Sequence, residues 1–396
     1  MRRRHLLALA PAAALASCTT SQGGGTDSEG TTGTSDGGSG GGASDGTASP
    51  SPEPTAAELL AEEMELRELA GQLVLVGITA GGSIDAELLE EHHVGGFFLL
   101  DRWESAEEVD ALVAAAVEGS REDLGPLLAV DQEGGQVRML RGDAARESDS
   151  AEALGEAGPE AALEAYTMIG EDLAARGLHL DLAPVADVVD PALGDDNAPV
   201  GQLDRGFGTN PEIVAGCVQA AVQGLDASGV GATLKHFPGL GRVEKNTDHS
   251  VEGIVDAVTD ADDPYLQTFM AGIAAGAEAV MLSSAVYPRI EPDVPAMFSS
   301  AVVQGVLREV VGFDGLVITD DIGAAEAVAD VPVPERATRL LAAGGDAVLT
   351  ADPGIAGELV DAIVAWAEED AAQEARVRES ATRMLTVKQG HDLLDA

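Results

Sequence analysis

Gly315-Leu316-Val317-Ile318-Thr319-Asp320-Asp321 is an apolar, β-branched run that begins after a glycine and ends on two acids. A run of this kind, bounded by turn residues, reads as a buried strand with a polar C-terminal end. Seven other stretches have the same form: 72–78, 94–100, 126–131, 178–185, 230–235, 279–284 and 346–350. Helical patterns separate them. Asn210-Pro211 reads as an N-cap with proline at the first helical position, opening 212–225; Asp263-Pro264 opens a run to Ile273 in the same way. Ser300 reads as the cap of 301–311, where Leu307 and Val311 share a face. Strands alternating with helices specify βαβ units and a parallel sheet. Eight of them predict an α/β fold closed into a (β/α)8 TIM barrel, with an open doubly wound sheet as the alternative.

The positions of the polar residues add a function to this fold. Asp131 and Asp320 end the third and seventh runs, Lys235-His236 ends the fifth, and Asp187 lies just past the fourth. In a barrel, the C-terminal ends of the strands meet at one mouth, where such enzymes keep their chemistry. Each residue alone is ordinary. Asp131-Gln132-Glu133-Gly134-Gly135 reads as a turn, or as an acid placed to accept from sugar hydroxyls. Lys235-His236-Phe237-Pro238-Gly239 offers several donors to a polyhydroxylated ligand. Asp320 reads as a nucleophile and Asp321 as the cap of the following turn.

Together the motifs resemble glycoside hydrolase family 3, in particular its single-barrel β-N-acetylhexosaminidase branch. The matching stretches occur in family order: Asp131-Gln-Glu-Gly-Gly, Leu182-Ala-Pro-Val-Ala-Asp187-Val188, Arg205-Gly-Phe-Gly, Lys235-His-Phe-Pro-Gly and Val317-Ile-Thr-Asp320-Asp321. The resemblance spans about 63–389. The short stretch after Gln389 holds no second sandwich domain of the kind many family members carry, which favours the hexosaminidase branch. The resemblance implies a retaining glycosidase with Asp320 as nucleophile and with Asp131, Arg205, Lys235 and His236 binding the sugar. A carboxylate would trap the oxocarbenium-like centre as a covalent glycosyl-enzyme that water then opens.

The chain departs from the family pattern in the loop that supplies the acid/base. Leu240 replaces a histidine, and the segment through Glu244, Lys245, Asn246, Thr247, Asp248, His249 and Ser250 is about two residues longer than the pattern. Aligning Asp248 with the family aspartate puts Ser250 at the histidine position, so His249, oriented by Asp248, is the expected acid/base. Ser284 also stands where a histidine is frequent, and the arginine expected after the Gly-Gly pair is displaced to Arg138 and Arg141, flanking Met139.

The first residues suggest export. Met1-Arg2-Arg3-Arg4 precedes an apolar stretch from Leu6 to Leu15, too short for a span of roughly 20 apolar residues. Leu15-Ala16-Ser17-Cys18 then resembles the lipobox of bacterial lipoproteins, which implies a lipid anchor on Cys18 and a place on the outer face of the cell membrane. Residues 19–55, mostly Gly, Ser, Thr, Asp and Pro, read as a disordered linker, and 56–396 as the barrel. Cys217, within the helical pattern 214–222, reads as a small core residue. Twenty-two basic against 69 acidic residues give a formal charge of −47, which disfavours nucleic acid as a partner. His92 and His93 have no ligand-spaced partner, so no metal or cofactor is expected, and the chain is read as a monomer. Three functions fit: an exo-acting β-N-acetylhexosaminidase on cell-wall or chitin-derived sugars, a non-catalytic sugar-binding lipoprotein, or a family 3 β-glucosidase, β-xylosidase or phosphorylase.

Overall fold

A computed structural model describes residues 54–246, 250 and 254–394. The expected signal peptide, Cys18 and nearly all of the linker lie outside the described residues, as do Asp248 and His249. The first described helix, Ala56–Glu63, begins where the linker reading ends. Thr55 accepts from the Glu58 amide and the Glu58 carboxylate accepts from the Thr55 amide, a capping box that fixes this start.

Eight parallel strands close into a barrel in chain order: β1 Val74–Thr79, β2 Gly96–Leu100, β3 Leu127–Val130, β4 Leu180–Asp181, β5 Gly231–Phe237, β6 Ala279–Leu282, β7 Leu316–Asp321 and β8 Ala347–Thr350. Closure runs through β1 and β8, where Val74, Leu75 and Val76 lie opposite Val348, Leu349 and Thr350. An open doubly wound sheet is thereby excluded. All eight expected strands are present, and β4 is the one that shrinks most. Pro184 has no N–H to give a ladder, and Val185 rejoins the sheet only as a single bridge to Lys235.

The helices begin largely as their sequences specify. Asn210 caps Pro211–Asp226 by accepting from the Glu212 amide. Asp263 accepts from the Tyr265 amide and caps a 3-10 turn, Pro264–Leu266, that leads into Gln267–Ala274. Ser300 does not cap Ala301–Val311, because it already has helical backbone angles (φ −63, ψ −31). The extended Ser299 takes that role, its Oγ accepting from the Val302 amide at 3.1 Å. The helix itself is of the wide π type. Cys217 is fully buried, as read. Beside it in the same helix, a Cβ on Gly224 would come 2.7 Å from the Thr167 amide nitrogen, so glycine allows this helix to lie close against Pro159–Ala175.

At the start of β8, opposite the mouth, buried Asp346 accepts from Arg308, Arg376, Arg383, Ser380 and the Val317 amide. This network ties the last helix, Ala371–Gly390, to the barrel floor. Two short hairpins leave the βα loops at the other end: Gln132–Gly134 with Val137–Arg138 after β3, and Val286–Tyr287 with Glu291–Pro295 after β6.

Candidate active site

Asp131 immediately follows β3, Lys235 and His236 lie in β5, and Asp320 lies in β7. With Arg205 they border one cavity of about 320 Å3 at the barrel mouth. A larger hollow of about 700 Å3 sits beside β1, but no lysine or arginine lines it, and its one basic side chain, His92, lies 3.4 Å from Glu87. The chemistry is concentrated in the smaller space.

Its floor is a buried ion cluster. Glu133 Oε1 and Oε2 accept from Arg205 Nη2 and Nε at 2.7 and 2.9 Å, and Lys235 Nζ lies 2.6 Å from Glu133 Oε1. Lys235 also donates to Asp131 Oδ1. Burial alone would push the Glu133 carboxyl up, but the Arg205 and Lys235 cations outweigh it and hold the group at about 2. The same contacts keep both cations charged: burial opposes this, and the carboxylates of Asp131 and Glu133 override it for Lys235, with Glu133 foremost for Arg205. Lys235 is only 2 % exposed and Asp131 is 23 % exposed, so the acid presents the larger surface to the cavity.

His236 is fixed from behind. Its Nδ1 lies 2.8 Å from Asp187 Oδ2, and Asp187 Oδ1 accepts from the amides of His236 and Leu240, both at 3.0 Å. A carboxylate on Nδ1 assigns the proton there and leaves the Nε2 lone pair facing Arg205 Nη2 at 3.3 Å. The loop after β5 lies flush on the loop after β4 at Gly241, where a Cβ would fall 1.7 Å from the Val188 carbonyl oxygen. Arg242 then anchors the loop, donating to Thr259 at 2.6 Å and Asp263 at 2.8 Å and stacking 3.8 Å over the Tyr265 ring.

Asp320 and Asp321 divide their work. Asp321 accepts from the amides of Gly323, Ala324 and Ala351 at 2.7–2.8 Å, closing the turn and joining the ends of β7 and β8, as a cap should. Asp320 Oδ1 accepts from the Asp321 amide at 2.9 Å, and the carboxylate borders the cavity.

The structure thus brings Asp131, Arg205, Lys235, His236 and Asp320 together. It places Asp187 behind His236, away from the cavity lining. Two residues outside the expected site set hold it in shape: Glu133, and Asp187 as the orienter of His236. Glu133 was visible as an acid beside Asp131, but its partners lie far along the chain, Arg205 being 72 residues away. Leu240 lines the cavity at the position of a family histidine, and Ser284 is buried with no hydrogen-bond partner for Oγ among the described residues. Arg138 and Arg141 do not enter the cavity. Arg138 donates to the Gly135 carbonyl and to Glu147, and Arg141 to the carbonyls of Gln136 and Arg138, while Met139 lines the space between them.

Glu133→Gln should therefore be costly to the fold. It keeps the shape but removes the carboxylate that Arg205 and Lys235 share, and breaking such a pair costs about 3–5 kcal/mol. Guanidinium unfolding measures the loss, and a value below about 1 kcal/mol would show that the cluster adds little. Because the folded value of about 2 lies below the ordinary 4.5, the stabilisation from this group is complete above about pH 4.5 and disappears as the pH falls through 2.

Residues 65–387 match the Glycosyl hydrolase family 3 N terminal domain. A protein of Xylella fastidiosa named beta-hexosaminidase is 37% identical over 311 residues, covering 76% of this chain and 89% of its own. The crystal structure of a beta-N-acetylhexosaminidase from Beutenbergia cavernae aligns with a TM-score of 0.78 at 42% identity, covering 82% of this chain and 99% of that one. A family 3 beta-N-acetylglucosaminidase from a Paenibacillus species aligns at 0.74 and 32%, covering 83% of this chain and 63% of that one. The barrel, the ion cluster at its mouth and these likenesses agree: the chain belongs to glycosyl hydrolase family 3.

Proposed function

We propose that this chain is a retaining, exo-acting β-N-acetylhexosaminidase acting on N-acetylglucosamine-containing sugars from cell wall or chitin. The observation that carries the reading is the Asp320 carboxylate sharing one cavity with Asp131, Arg205, Lys235 and His236, in a chain so similar to proteins named for that activity. The cavity lies near the lower end of the range for ligand pockets, about 300–1,000 Å3, which suits one terminal sugar.

In this mechanism Asp131 accepts from ring hydroxyls through the oxygen that Lys235 leaves open. Lys235, Arg205 and His236 Nε2 fix the ring orientation. Asp320 attacks the anomeric carbon while His249 protonates the leaving oxygen, with Asp248 as its orienting partner. The glycosyl ester formed on Asp320 is then opened by water, with His249 returning as base. Asn246, three residues before His249, borders the cavity, which supports this placement of the acid/base segment.

The test is hydrolysis of aryl β-glycosides of N-acetylglucosamine, glucose and xylose, with and without phosphate. Preference for N-acetylglucosamine with release of the free sugar is expected. Dominant cleavage of the glucoside or xyloside would overturn the substrate assignment, and a sugar phosphate as main product would make the chain a phosphorylase.

The lipobox-like Leu15-Ala16-Ser17-Cys18 supports an anchored protein on the outer face of a bacterial membrane. No helix among the described residues is long and apolar enough to cross a membrane. Cys18→Ser should then move the protein from the membrane fraction to the soluble fraction, since one acylated cysteine would be its hold on the bilayer. Unchanged fractionation of the variant would reject the anchor.

A further inference from the structure

Asp181, the last residue of β4, is fully buried and within electrostatic reach of the ion cluster. Its Oδ1 accepts from the Gln132 amide at 3.0 Å, but its Oδ2 has no hydrogen-bond partner among the described residues. The adjacent strand carries a second orphan. Asp181 pairs in register with Ala232, and the next residue, Thr233, is fully buried with its Oγ1 also without a partner. Strand alternation puts Thr233 on the same face as Lys235, and Asp181, opposite Ala232, on the other. The charged and titratable groups facing Asp181 are Asp131 and Glu133 from the segment after β3, Lys235 from β5, and Tyr166 from helix Pro159–Ala175, whose hydroxyl donates to the Glu133 carbonyl.

The buried cations already have their carboxylates without it. Lys235 and Arg205 supply two positive charges, Asp131 and Glu133 pair with them directly, and buried Asp187 also faces Arg205. A further carboxylate charge on Asp181 would be uncompensated and short of hydrogen bonds, a combination that costs several kcal/mol per ion.

We infer that Asp181 is kept as the neutral acid and acts as a positioning residue, supporting the Gln132 amide beneath the sugar site while leaving both cations to Asp131, Glu133 and the ligand. Oδ1 serves as the carbonyl acceptor. The protonated Oδ2 donates to a buried water, the usual way such an orphan is met. Electrostatics agree: burial chiefly, opposed by the Gln132 amide and Lys235 and reinforced by Asp131 and Glu133, pushes the carboxyl up to about 8. Because that lies above the ordinary 3.8, the group's contribution to folding is complete below about pH 4 and is lost as the pH rises through 8.

The role in catalysis rests on the glycosidase reading, whereas the protonation state can be read without turnover. The wild-type protein with carboxyl-13C-labelled aspartate is titrated by NMR, alongside the pH profile of aryl glycoside hydrolysis for wild type and Asp181→Asn. An aspartate carboxyl still protonated at pH 6.5, and absent from the variant, is expected. Asp181→Asn, which mimics the neutral acid, should keep kcat within about threefold near pH 6.5 and move the alkaline limb of kcat/KM up by about one pH unit or more. Its melting temperature should also fall less than that of wild type between pH 6 and 9. Complete ionisation of all aspartates by pH 6.5 would overturn the inference. So would an unshifted alkaline limb, or a loss of about 100-fold in a folded Asp181→Asn protein. If the variant does not fold, the wild-type titration still decides. If neither protein hydrolyses glycosides, the glycosidase reading fails while the NMR result stands.

Discussion

Asp320→Asn is expected to lower hydrolysis of an aryl β-N-acetylglucosaminide at least about a thousandfold, equivalent to about 4 kcal/mol of barrier. The change keeps the shape of a side chain at the end of β7 and removes the charge that would bond to the anomeric carbon. The fold should survive. The turn is held by Asp321, which accepts three backbone amides, and the amide oxygen of asparagine can still accept from the Asp321 amide as Asp320 Oδ1 does. Unfolding curves of the two proteins should therefore nearly coincide while their rates diverge. Activity within about tenfold of wild type would remove Asp320 from the nucleophile role.

His249→Ala should divide substrates by their leaving groups. An acid is needed to expel a sugar alkoxide and hardly needed for dinitrophenolate. Loss of general acid catalysis is worth about 10²–10⁴-fold, so the variant should fail on an unactivated disaccharide while keeping the glycosylation rate on the activated aryl glycoside. Added azide should then speed deglycosylation, because it attacks the glycosyl ester without a general base. Equal rates for variant and wild type on the disaccharide would exclude His249, and Asp248 or Glu244 would be the next residue to replace. The motive is the loop itself: Leu240, at a family histidine position, is buried in the mouth lining and carries no proton to give.

The barrel was legible because its signal is repeated eight times. Each apolar run is short, bounded by turn residues and separated from the next by a helical pattern. No single misread boundary could change the count. Local irregularities were less legible. Pro184 cut β4 to two residues, and the cap of Ala301–Val311 moved one residue to Ser299 because backbone angles, not residue type, select between adjacent serines. The strand-end residues of the site were legible for the same topological reason as the barrel. Their supports were not. Glu133 matters through Arg205 and Lys235, and Asp187 through a histidine 49 residues further on, so each role depends on convergence that no local pattern encodes. Asp181 is the extreme case. Its sequence neighbours describe an ordinary strand, and only burial and an orphaned oxygen distinguish it.

In the proposed retaining reaction Asp320 forms a covalent bond to the sugar. The most direct test is to trap that ester with a 5-fluoro-N-acetylglucosaminyl fluoride, digest the protein and locate the added mass. One sugar per chain is expected, on the peptide containing Asp320, with activity lost in step with labelling. An adduct on another residue, or sustained turnover of the reagent with inversion and no adduct at all, would contradict it.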